Sequence, residues 1–348
     1  VHTLIHPSGE NDTQAVCQAL AHEGSVAELV SGCTYMFGHL CPPHGSTLMG
    51  FGGTNYTEPK GYNTPRIVPA PGATAVFDFS DPERCRGVTM MGFTIDGLAT
   101  ECTAISGGSE HLFLDRLYIV NCLDGVGGSV AGSSSYSCVM IARHCKIMRC
   151  SRHGISSPVD SEFDGCIVAD CGTSYYALPG ANHNRIRGGR CEWSKTGEHF
   201  RLAGDSKTPV RDWTFGGSLQ MDRAATCSVF LRHCHHIQFG GDVASERPGR
   251  AGMTGPAQSA HIYAEDSSVV TATGVLMWAG ANDDGSGVVS PQYAYEFAGV
   301  NPDVILCGGS VADGYTGPHA IHYANGCTPA AMPRHRITGV GGLADFHH

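Results

Sequence analysis

Short runs of alternating apolar and polar residues, each closed by glycine or a polar turn, fill most of the chain. The early stretch "ENDTQAVCQALAHEG" is the exception. It predicts an amphipathic helix capped by Asn11 or Asp12, with Ala15, Val16, Ala19 and Leu20 on one face and Gly24 ending it. "SVAELVSGCTYMF" and "STLMGFGG" then predict short strands with glycine turns, and no second helix is expected. From about residue 88 the pattern repeats: "VTMMGFTIDG", "LFLDRLYIVNC", "VMIARHCKIMRC", "SEFDGCIVADC", "NRIRGGRCEWS" and "DWTFGGSLQMDRA" superpose. With Cys122, Cys150, Cys171, Ser194 and Ala224 as one column, the steps are 28, 21, 23 and 30 residues. Strand-built periods of this length mean a solenoid. A leucine code is missing, so the expected fold is all-β, a parallel β-helix with a short N-terminal capping helix. Ile119, Ile147 and Val168 occupy one place in successive coils and are expected to stack inside. Later segments such as "HIQFGGDVASE", "VILCGGSVADG" and "HRITGVGG" continue the coils with longer loops. The reading is one continuous domain, with cap and first coil over 1–60 and the helix body over 61–348.

Composition agrees with this pattern. Charged residues are 16% of the chain and there are 47 glycines, a profile of short strands and turns. A formal charge of −10 argues against nucleic acid, whose binders carry basic faces. It leaves acidic glycans to local Arg or Lys contacts. No run of eighteen apolar residues is present, so no membrane span is expected. The first residues lack a basic-then-apolar leader, and a leader or preceding domain is expected to have been removed ahead of Val1.

The chain has sixteen cysteines and no CxxC pair, which leaves zinc-ribbon and thioredoxin-like chemistry unsupported. Cys122, Cys150 and Cys171 share one column at a turn, about 4.8 Å apart along the axis, within disulfide reach. Reduced, stacked, buried thiols are the expected state, with a disulfide framework as the alternative.

The cap "ENDTQAVCQALAHEG…VSGCTYMF" resembles that of the pectate-lyase-like right-handed β-helix proteins, and "STLMGFGG" their first coil. Within that group the chain is most similar to bacteriophage tailspike and tail-fibre polysaccharide depolymerases, on "GGRCEWSK" followed by "SLQMDRAA". Cys191 stands where the family has a branched aliphatic residue, and Ser194 and Ala224 replace turn asparagines; no carboxylate is altered. The resemblance spans roughly residues 8 to 345. It implies a homotrimer on a virion tail, or a secreted protein, that binds and cleaves a bacterial capsular or exopolysaccharide without a cofactor.

The register places Glu192 and Asp222 two residues before the cysteine column, on the outer face and one coil apart. Such a pair suits glycoside hydrolysis, one carboxyl as general acid and the other as base or nucleophile. Mutual repulsion is expected to keep one of them protonated. A second register pairs Glu192 with Gln220 and Asp222 with Ser194 and Asp170, making Asp170 a third candidate. Trp193 is expected to alternate inward and brace the strand, or, turned outward by a bulge, to stack on sugar. Arg185, Arg187, Arg190 and Lys195 are candidates to hold an acidic sugar, and Arg223 to orient Asp222 or bind glycan. Glu198, His199 and Asp205 are expected at the next bend, lining the cleft. Solvated outer rungs would explain many of these charges equally well.

Two other accounts stay open. A polysaccharide lyase would need a base and a neutralising cation, for which Tyr175, Tyr176, His183 and the arginines before Glu192 are available. A non-catalytic glycan-binding fibre would need neither. "NDDG" at 282–285 reads as a turn rather than a calcium loop, and "HCHH" at 233–236 as a turn rather than a metal site.

Overall fold

The computed structural model describes residues 1–51, 64–81, 85–108, 110–128, 137–249, 260–282, 285–301, 303–311, 315, 320–324, 327 and 336–338. The predicted turn at "NDDG" and the C-terminal "GGLADFHH" lie partly or wholly outside these residues, as does most of "GFGGTN". The chain forms two compact units, Val1–Cys171 and Gly172–His348.

In the first unit the only described helix is Thr13–Ala19, with Val16 buried and Ala15 exposed, so the buried face is narrower than expected. Asp12 sits at the N-cap without a side-chain cap bond. Its carboxylate instead accepts from Ser8 N and Oγ at 2.6 and 2.7 Å and from Met36 N at 3.0 Å, tying the first residues to the first coil. Beyond the helix the chain winds as parallel coils of three strands each. One coil consists of Leu112–Asp115, Tyr118–Val120 and Asp124–Gly128, and the next of Met140–Arg143, Lys146–Met148 and His153–Ser156. Every strand pairs in parallel with its counterpart one coil away. Alternation then sends one set of side chains inward. Ile95, Ile119, Ile147 and Val168 pair rung on rung and are at most 1% exposed, as the pattern predicts.

The cysteine column is also inside. Cys122, Cys150 and Cys171 are buried and free, their thiols near the carbonyls of Val120, Met148 and Ala169 at 3.3, 3.8 and 3.4 Å. Burial pushes the Cys122 thiol well above its ordinary range, so it stays protonated. Of the described cysteines thirteen are free, and Cys41–Cys85 is the one disulfide among them.

The second unit repeats the plan. Its coils run through Asn184–Arg187, Arg190–Glu192 and Phe200–Ala203, then Val210–Gly216, Gln220–Asp222 and Val229–Arg232. The inward rungs of the middle strands are Cys191, Met221, Ser245 and Met277. Ser245 is the polar member, and it is satisfied: its Oγ lies 2.7 Å from Ser228 Oγ and 2.6 Å from His261 Nδ1. An aromatic stack fills the rest, with Tyr175 on Phe200 at 4.7 Å and Phe215 on Phe239 at 4.7 Å between ring centroids. Tyr175 is therefore core and not a surface base.

Burial pushes His261 down to about 3, against the pull of the Trp278 carbonyl. An unfolded histidine titrates at about 6.5, so between the two values only the unfolded chain takes the proton. The stability His261 contributes is therefore present above about pH 6.5 and lost as pH falls towards 3. We expect His261→Gln to flatten the pH dependence of urea unfolding across that window, measured by fluorescence at fixed ionic strength.

Candidate functional site

Three successive middle strands of the second unit, Arg190–Glu192, Gln220–Asp222 and Ala244–Glu246, each end in a carboxylate. Glu192 pairs with Asp222, and Asp222 with Glu246, in direct parallel register. The alternative register is excluded because Gln220 pairs with Arg190. The sequence reading missed Glu246. Its signal was the echo of "QMDRAA" in "ASERPG", carboxylate then arginine at a strand end, inside a segment that otherwise looks irregular.

The residue after each carboxylate turns the corner with a left-handed backbone: Trp193 at φ 52°, Arg223 at 59° and Arg247 at 43°. Their N–H groups continue the ladder to the carbonyls of Asp222, Glu246 and Trp278, each at 2.9 Å. A non-glycine residue adopts this conformation only where surrounding contacts impose it. Alternation would have sent Trp193 inward behind outward Glu192; the left-handed turn cancels that, and Trp193 is half-buried outside the core. The bracing role expected of it is replaced by a stack in which the Arg223 guanidinium lies 4.3 Å from the ring centroid, a cation–π arrangement.

Each carboxylate meets a guanidinium. Arg190 Nε is 2.9 Å from Glu192 Oε1. Arg223 grips both oxygens of Asp222, its Nε donating to Oδ1 at 2.7 Å and its Nη2 to Oδ2. Arg247 Nη2 lies 3.6 Å from Glu246 and 3.9 Å from Asp222. The repulsion expected between stacked carboxylates is thus offset by local cations. The two expected catalytic groups also differ: Asp222 is 7% exposed and doubly held, whereas the Glu192 side chain is 24% exposed with contact at one oxygen.

His199 does not line a cleft. It is fully buried, with Nε2 3.0 Å from the Asp222 carbonyl oxygen and Nδ1 3.3 Å from Ser174 Oγ. A carbonyl only accepts, so Nε2 carries the proton and Nδ1 accepts from the serine. His199 therefore fixes the backbone that carries Asp222. Glu198 is buried and paired with Arg201 at 2.8 Å. Lys195, Arg185 and Arg187 are exposed. Asp205 is exposed at a separate corner, where the N–H groups of Thr208 and Lys207, at 2.7 and 2.8 Å, hold its carboxyl below the usual range. There it borders a groove of about 300 Å³ with Arg211, His233, His235 and Asp266. Asp170, in the first unit, takes the left-handed corner after Ile167–Ala169, with φ 54°. In the second unit His183 and His236 bind Asp212 at 3.2 and 3.3 Å, and His235 lies 3.1 Å from His236. Among the described residues no cluster is arranged to hold a metal ion.

No protein-family model matches the chain, and no curated protein does. Solved structures do. The A-module of the Azotobacter vinelandii mannuronan C-5 epimerase AlgE6 aligns over 97% of this chain and 96% of its own, at 12% identity and TM-score 0.61. The fold is the right-handed parallel β-helix. Endo-xylogalacturonan hydrolase from Aspergillus tubingensis shares this β-helix over 94% of the chain and 100% of its own, at 10% identity and TM-score 0.60. Tailspike protein 2 of the Escherichia coli bacteriophage CAB120 aligns with 91% of the chain at 14% identity and TM-score 0.61; the chain spans 44% of that β-helix protein's length.

His199→Ala removes the donor to the Asp222 carbonyl and leaves buried Ser174 without its acceptor. A loss of about 1–3 kcal/mol of stability is expected, read by denaturant titration; His199→Gln is expected to recover part of it.

Proposed function

We propose that this chain is a polysaccharide depolymerase that cuts inside a bacterial capsular or exopolysaccharide by glycoside hydrolysis at Glu192 and Asp222. The observation that carries the reading is the direct pairing of these two outward carboxylates, Glu192 met by Arg190 at one oxygen and Asp222 held by Arg223 at both. Glu192, partly exposed and with one oxygen engaged, is the general acid that protonates the departing glycosidic oxygen. Asp222 is held at both oxygens by Arg223, and each of those oxygens retains a second lone pair. It faces the positive charge that develops at the anomeric carbon and accepts a proton from the attacking water. Trp193, with Arg223 against its ring, offers the aromatic surface beside the pair, and Arg190 and Lys195 supply cationic contacts.

The structural neighbours support an activity on polysaccharides: they include a xylogalacturonan hydrolase, a Streptomyces thermodiastaticus alpha-1,3-glucanase, a mannuronan epimerase and a phage tailspike. The tailspike likeness supports a homotrimer on a virion tail or in the extracellular space. No cofactor is required by this mechanism. No described helix is long and apolar enough to cross a membrane.

The test is a depolymerisation screen on bacterial capsular and exopolysaccharides, reading new reducing ends and the ultraviolet absorbance of unsaturated uronates. Reducing ends without absorbance are expected, with kcat falling about 10²- to 10⁴-fold in Glu192→Gln. Trp193→Ala is expected to act mainly on KM. Absorbance would move the chemistry to β-elimination, and binding without either signal would mean a glycan-holding fibre.

A further inference from the structure

The first unit holds a second charged cluster that the sequence reading did not single out. Strand Asp124–Gly128 pairs with His153–Ser156, and Asp124 stands opposite His153. Gly125 turns its own side to the core, where an added Cβ would lie 2.5 Å from Ile147 Cγ2; Asp124 points the other way. The Asp124 side chain is nonetheless fully enclosed. An enclosed carboxylate is costly unless its lone pairs are filled, and here they are. Arg152 Nε donates at 3.0 and 3.1 Å, Arg152 Nη2 donates to Oδ2, and His153 N–H donates at 3.1 Å. His153 Nδ1 is 3.2 Å from Oδ1. Burial alone would push Asp124 up; the bonds from His153 and Arg152 outweigh it and hold the carboxyl below its ordinary range.

The orientation of Arg152 matters more than its pairing. Asp124 takes the Nε–Nη2 edge of the guanidinium. The remaining end-on fork, Nη1 and the second N–H of Nη2, has no protein partner among the described residues, and the side chain is 43% exposed. A guanidinium locked by a buried carboxylate has already lost its rotamer freedom, so a second carboxylate meets a pre-ordered fork of matching geometry. The His153 side chain, 18% exposed, borders it.

We propose that Arg152, oriented by Asp124 and flanked by His153, binds the carboxylate of a uronic-acid residue, so that the glycan this protein takes is acidic. The inference rests on the reading of the chain as a polysaccharide-acting protein and supplies the substrate class. It places no reaction at Arg152. Asp124 is a positioning residue: it touches the arginine and not the sugar.

The full chain is titrated calorimetrically with size-defined oligogalacturonate, oligomannuronate and hyaluronan oligosaccharides, each beside its carboxyl-reduced counterpart. At least one acidic oligomer is expected to bind tenfold or more tightly than its reduced form. Arg152→Gln should lose that preference, a drop of about 10- to 100-fold. Arg152→Lys keeps a cation over Asp124, and so the fold, but lacks the fork, and should fall almost as far. Equal affinity for acidic and reduced forms in all three series overturns the inference, as does Arg152→Lys binding like the unaltered chain. Reducing-end release without any carboxylate preference would sink this inference alone. Carboxylate preference without chain cleavage would sink the hydrolytic reading alone.

Discussion

Everything in this molecule hangs on the parallel backbone ladder from one coil to the next. Once each strand is bonded to its counterpart about 4.8 Å away, a side chain's neighbours are residues a whole coil distant in sequence, from Ile141 and Glu162 at the short end to Thr47 and Thr89 at the long end, at the same place in the coil. Interior rungs must then be compatible in shape, and exterior rungs in charge. Ile95, Ile119, Ile147 and Val168 show the first requirement, and the carboxylates with their arginines show the second. The corners extend the ladder without a break, because the left-handed residue still donates its N–H to the coil beyond. That geometry also throws Trp193, Arg223 and Arg247 out of the alternation and beside the carboxylates they follow.

Much of this was written in the order of residues. Apolar positions repeating at coil intervals identified the inward column, and the column offered the pairing of Glu192 with Asp222 as one of two registers, which the ladder decides. The buried thiols were legible for the same reason: Cys122, Cys150 and Cys171 share a place in the repeat, and a small weakly polar side chain suits a crowded corner. What could not be read was decided by backbone conformation or distant contact. Nothing in a tryptophan announces a positive φ, since the ladder imposes it. His199 looks like a polar surface residue beside Glu198, yet its ring is turned inward to serve the Asp222 carbonyl. Glu246 hid in a coil whose loop is long, and Asp124 hid because its partners, Arg152 and His153, come a full coil later.

The two charged clusters use arginine in different ways. Around Asp222 the guanidinium sits over an indole and spends donors on the carboxylate it follows in sequence. Around Asp124 the guanidinium reaches back across a coil boundary and keeps three of its five N–H donors without a partner among the described residues. The first arrangement fixes a carboxylate for use; the second fixes an arginine for use. Histidine divides in the same way, His199 and His261 inside as adaptable hydrogen-bond partners and His153 at the surface.

The matching of Glu192, Asp222 and Glu246 by Arg190, Arg223 and Arg247 has an effect on approach as well as on chemistry. A rung whose charges cancel projects little field beyond a Debye length of about 8 Å at physiological salt. On the proposed reading, this face gives an incoming glycan almost no long-range guidance, on a chain whose overall charge of −10 would slow an anionic polymer. On that reading an anionic glycan would meet the overall repulsion until salt screens it, and discrimination begins only when sugar and side chain touch.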